Sequence, residues 1–193
     1  MALLLPKRKD TMKIPKRLKQ RPKFKGLPIP YIALIGSDGK PDFRVTDKEK
    51  WASVVRYGLC QLCGQGLGKF MFFVGGPQAA KSNTYYEPAA HLDCLIYAMQ
   101  VCPFIAGKIE HADVEKVAAR HEPHGEVTVV REVLPDRCPM WVIVKADGYK
   151  VGRVQGSDTH LILPNRIGAT PELFAEKMTV EEWNSVAYAL MKL

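Results

Sequence analysis

Apolar and polar positions alternate differently along this chain, dividing it into a polar opening, a mixed middle and a strand-rich second half. Residues 1–27 hold few apolar side chains and include Pro6, Pro15 and Pro22. Such a segment buries too little surface to offset its ordering entropy, so it reads as a disordered arm. The body then opens with an extended stretch over 27–35, a turn over 37–40 (Ser-Asp-Gly-Lys) and a second extended stretch over 41–44. Trp51, Val54 and Val55 recur at helical spacing behind Asp47, an N-cap residue, and predict a short helix over 47–57. Residues 69–74 form an apolar strand, broken by Gly75-Gly76-Pro77, with Tyr85-Tyr86 expected to return as the second strand of a hairpin. Pro88 suits a first helical turn, and Leu92, Leu95, Ile96 and Met99 give the buried stripe of a helix running to about Cys102.

In the second half, residues 107–125 are polar and read as a connector, helical around 112–120. Strands are expected over 127–130, 140–144, 149–154 and 160–163, with Asp147-Gly148 as the hairpin turn between the middle two. A closing helix over 180–191 has a capping box in Thr179 and Glu182, and Trp183, Val186, Ala187 and Leu190 on its apolar face. The expected organisation is an arm (1–27), a first unit (28–106), a connector (107–125) and a β-rich segment with its helix (126–193), giving an α+β protein.

Composition adds that the chain is a soluble globular type, with 47% hydrophobic and 25% charged residues and no stretch approaching the ~20 apolar residues of a membrane span. Leu3-Leu4-Leu5 precedes the basic residues and is too short for a signal sequence, so a cytoplasmic location is expected. Charge changes the picture more. Lys7, Arg8, Lys9, Lys13, Lys16, Arg17, Lys19, Arg21, Lys23 and Lys25 face only Asp10 in that stretch, a net of +9. The whole chain is +8, so the remainder is near −1. A proline-punctuated run of this kind fits a phosphate backbone better than a merely solubilising tail. Pro6-Lys-Arg-Lys9 also has the form of a nuclear import signal in a eukaryotic setting.

The strongest chemistry lies in Cys60-x-x-Cys63-Gly64 and His91-x-x-Cys94. Two thiols two residues apart grip one metal ion from a tight turn, and His91 and Cys94 share one face of a helical turn. Three thiolates and an imidazole suit a tetrahedral structural zinc. A Cys60–Cys63 redox pair fits less well, because Gly64, Gly66 and Gly68 follow where that motif opens a helix. Five cysteines, an odd count, argue against a secreted disulfide framework.

Other constellations are weaker. Residues 75–82 imitate a phosphate-binding loop but have Ala80 at the second glycine and are expected to form a hairpin tip. His121 and His124, with Asp136 or Cys138, could hold a second metal, although a solvated loop is the better account of them. Cys102 and Cys138 read as small buried residues.

A knuckle, a hairpin and a ligand-donating helix together resemble the treble-clef zinc finger. The ordered blocks Pro28-Ile-Pro-Tyr31, Asp38-Gly-Lys-Pro-Asp-Phe43, Cys60-x-x-Cys-Gly64, Phe73-Val-Gly-Gly-Pro77, Glu87-Pro88, His91-x-x-Cys94 and Cys102-Pro-Phe104 resemble a family of uncharacterised proteins of actinobacteria and bacteriophages. The resemblance covers residues 28–105 and, loosely, 140–190. It implies a bacterial or phage setting and a zinc site, but no mechanism. That family's pattern has a further cysteine after the Gly-Pro pair, where this chain has Gln78-Ala79.

The expected function is a non-enzymatic, zinc-stabilised adaptor that binds nucleic acid or a nucleic-acid machine through its basic arm. One alternative is a protein-binding modulator of a host or phage protein. Another is a metal nuclease of the HNH type, which would need a histidine to activate water. With His91 committed to the metal, only Glu87 and Asp93 lie nearby.

Overall fold

A computed structural model describes residues 13–102, 105, 140–156, 160–168 and 172–173. The connector, the 127–130 strand, the closing helix, His121, His124, Asp136 and Cys138 lie outside the described residues, as do Lys7, Arg8 and Lys9.

The chain opens with a single helical turn, α1 (Lys16–Lys19), and a small hairpin of β1 (Lys23–Phe24) and β2 (Leu27–Pro28). A second hairpin pairs β3 (Ala33–Ile35) with β4 (Pro41–Thr46) around the expected turn. Helix α2 (Lys48–Tyr57) is capped by Asp47, whose carboxylate accepts from the amides of Glu49 and Lys50, and it ends at Gly58 in the left-handed conformation. After the cysteine knuckle come β5 (Met71–Gly75), α3 (Pro77–Ser82) and α4 (Leu92–Val101), followed by β6 (Trp141–Arg153), β7 (His160–Arg166) and β8 (Glu172–Leu173). The architecture is therefore mixed helix and small antiparallel sheets, with no described helix long and apolar enough to cross a membrane.

The main sheet runs β5-β6-β7, with β8 joining β6. Its pleat sends alternate side chains to two cores. Phe72 and Ile143 face one core, shared with α4, the knuckle cysteines and Leu18. Phe73, Val142, Val144 and Ile162 face the other, where Tyr85 and the flanks of α2 and α3 cover them. The sheet thus forms the middle layer, and the cysteine cluster is rooted in one face of it.

Several expectations change here. Residues 13–27 are docked rather than free. Leu18 is 3% exposed within the cysteine-bearing core, Arg17 pairs with Asp93 at 3.2 Å, and the Ile29 amide donates to the Pro22 carbonyl. Leu18 on a single helical turn supplies the main anchor, with Ile14 packed against the same core, and composition averaged over the segment hides both. Leu18→Ala should destabilise the protein by about 2–5 kcal/mol. It should also raise trypsin cleavage within 13–25 by roughly thirtyfold or more, since cleavage follows the open population. Unchanged cleavage would mean that Leu18 is not the anchor.

Residues 77–82 form a helix, not a hairpin tip. Pro77 takes its first position, Ala79 and Ala80 favour it, and Asn83 ends it at φ 53°. Tyr85 consequently bridges to Ile162 on β7, and β5 takes β6 as its neighbour, with Met71 opposite Ala146. Asp147-Gly148 is no turn either. Between Ala146 and Tyr149 β6 carries one more residue than β7 does, a bulge inside one long strand whose halves serve different partners. Finally, α4 starts at Leu92 rather than Pro88, because Ala90 is drawn into a bridge with Phe72.

Candidate metal centre

The knuckle is built by backbone geometry. Gly64 donates to the Cys60 carbonyl at 2.8 Å, and the Cys60 amide donates to the Gln65 carbonyl at 2.8 Å. This closes a tight loop that turns both thiols inward. Gly64 has φ +78°, and a β-carbon on it would sit 2.5 Å from the Tyr31 ring. The residue is thus required twice over, by its backbone conformation and by the ring lying on it.

The opposite half comes from the entrance to α4. The Phe72–Ala90 bridge, two hydrogen bonds of 3.0 and 2.9 Å, fixes the chain just before His91. His91 is the extended N-cap residue and Cys94 lies in the first turn. Gln61 clasps the halves together: its amide reaches the Ala89 carbonyl and its side chain donates to the Pro88 carbonyl.

The expected four ligands meet. Ligand atoms of Cys60, Cys63, His91 and Cys94 all lie within 4.8 Å of one another. A tetrahedron of sulfurs bound at ~2.3 Å has edges of roughly 3.8 Å, so little closure is needed to hold an ion. His91 Nδ1 faces Cys63 Sγ at 3.4 Å, while Nε2 lies 3.1 Å from the Gly66 carbonyl. A carbonyl only accepts, so Nε2 carries the proton and Nδ1 is the ligand atom. The His91 amide also donates to Cys60 Sγ at 3.4 Å, a contact suited to a thiolate.

Proton affinities carry the same message. Hydrogen bonds to Cys60 and Cys94 hold the Cys63 thiol far below its usual range, and those to Cys60 and Cys63 push Cys94 far up. His91 is raised to about 10, first by its hydrogen bond with Cys60 and then by that with Cys63. Crowded thiols thus draw positive charge into the centre, and a metal ion must displace those protons, so its affinity falls as pH falls. Cys60, Cys63 and Cys94 are free thiols, as is the half-buried Cys102.

Around the ligands lies a shell that the spacing of cysteines does not reveal. The Arg21 guanidinium lies 5.4 Å over the Tyr31 ring, whose edge rests on Gly64. Burial lowers the Arg21 pKa, partly offset by the negative charge at Cys63. Of the ten cations expected to form the arm, Lys13, Lys16, Arg17, Lys19, Lys23 and Lys25 are exposed and Arg21 is half-buried. Lys13, Lys16, Lys19 and Lys23 make no ion pair among the described residues. Asp93, a candidate nuclease carboxylate, is engaged by Arg17. Compared with family models, curated proteins and solved structures, the chain matches none.

Proposed function

We propose that this protein is a non-enzymatic, zinc-stabilised adaptor that binds nucleic acid, or a machine built on it, through residues 7–25. Three thiolates and an imidazole are a donor set for zinc. Four protein donors would complete a tetrahedral zinc's coordination, leaving no open position for substrate or water, and would make the ion structural. Zinc with three thiolates and a neutral imidazole carries about −1, and Arg21 beside Cys63 balances that charge. A knuckle followed by a ligand-donating helix N-terminus is the treble-clef arrangement, its hairpin here shortened to the Phe72–Ala90 bridge. The resemblance to actinobacterial and phage proteins supports a phage-encoded origin.

One observation carries the functional reading: Leu18 clamps the basic segment to the metal-bearing core while the lysines around it point outward. Cations held in place lose less conformational entropy on meeting phosphates than those on a free tail. An HNH-type nuclease finds less support, because His91 is committed to the ligand set and Asp93 to Arg17.

The test is a salt series with labelled DNA. If about six cations each neutralise one phosphate, log affinity should fall against log salt with a slope near −5. Replacing Lys13, Lys16, Lys19, Lys23 and Lys25 together by Gln should flatten that slope by roughly 0.9 for each phosphate no longer neutralised. An unchanged slope, or no binding by the full chain, would sink the reading.

A further inference from the structure

We propose that the two N-terminal hairpins form a stacking platform for unpaired bases, so that the preferred ligand is single-stranded nucleic acid. This rests on the nucleic-acid reading above and narrows it.

In sequence, Phe24 is the lone aromatic of the basic stretch, too little for base stacking. Folding supplies a second. Phe43 stands on the solvent side of β4, 45% exposed, and its ring centroid lies 6.4 Å from that of Phe24 on β1. An exposed phenylalanine beside a half-buried one leaves apolar surface in water that a stacked base would cover. The rim is cationic. Lys25 Nζ lies 5.6 Å from the Phe24 centroid, and Lys23 is exposed on the same strand. Residues 13–44 contain nine cations against two acids, and those acids, Asp38 and Asp42, are already paired with Lys40 and Arg44.

A second observation is the turn joining β1 to β2. Phe24 pairs with Leu27 across a two-residue loop, Lys25-Gly26, with φ 49° and 80°. Both positions are left-handed, where Asn or Gly is the ordinary choice and a lysine is strained. A cation thus occupies a strained backbone position with its charge over the Phe24 ring. Apolar rings with a cationic rim match one ligand chemistry: phosphates joined to flat faces that are free to stack. Duplex bases are already stacked on one another and offer only the phosphates. A single strand of DNA or RNA offers both.

The experiment measures binding of the full metal-loaded chain to labelled oligo(dT), oligo(U) and a duplex of equal length. Wild type should prefer the single strands, and the dT and U arms decide between DNA and RNA. Stacking contributes ~1–3 kcal/mol per base, so Phe43→Ala should weaken single-strand binding about 5- to 150-fold. Duplex affinity and the salt slope should be unchanged, and Phe43→Tyr should restore most of the loss. Metal content and melting temperature verify the fold of each variant. As a second readout, iodouracil-substituted oligo(dU) photo-crosslinked to wild type should attach at Phe24 or Phe43. Equal loss for single strand and duplex, no loss, or crosslinks elsewhere would overturn the platform while salt-dependent duplex binding leaves the adaptor standing. Failure to bind any of the oligonucleotides overturns both.

Discussion

Cys94→Ser should yield a protein that retains no zinc and lacks the cooperative melting of the metal-bearing core. Apparent binding energies of structural zinc in small fingers are roughly 10–16 kcal/mol. The total stability of an ordinary domain is ~5–15 kcal/mol, so losing one ligand is comparable with losing the fold. Position also matters. Cys94 is fully buried in one core with the knuckle cysteines, Leu95 and Met99, and a serine there leaves a buried hydroxyl in place of a candidate metal-binding thiolate. Elemental analysis of wild type should give one zinc per chain. A wild type that keeps its fold with well under one zinc per chain would falsify the structural role.

The second large effect is expected at Gly64, where two causes can be separated by choosing the right companions. Gly64→Ala places a β-carbon at φ +78°, costing about 1–2 kcal/mol, and drives it against Tyr31 at a cost of roughly 1–3 kcal/mol more. Gly58→Ala carries the conformational cost alone, because φ is +60° and nothing lies within 4 Å. Gly66→Ala meets neither penalty and should stay within ~0.5 kcal/mol of wild type. The three should therefore rank Gly66, Gly58, Gly64 in rising loss of melting temperature. Only Gly64→Ala should also release zinc faster to a chelator, since Tyr31 shifts together with the Arg21 stacked on it. If Gly64→Ala and Gly58→Ala behave alike, the Tyr31 ring yields easily and the steric half of the argument is wrong.

The meeting of three cysteines and a histidine was legible because its signal is local. Two cysteines in a turn and a histidine–cysteine pair at one helical spacing state their chemistry without reference to the rest of the chain. Asp47 as a cap and the turn over 37–40 were readable for the same reason. What failed to show depends on distant partners. Asp147-Gly148 has the chemistry of a turn and becomes one only when the flanking strands pair with each other; here β5 and β7 claim them instead. Ala90 belongs to a helix by propensity, but Phe72 holds it extended. The Gly75–Asn83 stretch did carry usable local signals, a proline at a first helical position and an asparagine at the end, which its likeness to a phosphate loop obscured. Leu18 was the hardest to see. Ile14, four residues before it, packs against the same core, but two apolar residues among cations make too short a stripe to announce a helix, and their importance comes from the core they enter.

The pairing of β5 with β6 has a consequence for synthesis. Met71 and Ala146 are neighbours across the sheet, yet 75 positions separate them along the chain. At about 5–20 residues per second, a ribosome needs roughly 4–15 s to cover that distance. All four candidate metal ligands are made before Ala106, so they can capture an ion while Phe73 still waits for its strand partner. During that interval the free edge of β5 is open to pairing with other nascent chains. Early metal capture fixes the opposite edge of β5 through the Phe72–Ala90 bridge, so the order of events, metal first and sheet second, offers β6 a strand already held in place when it arrives.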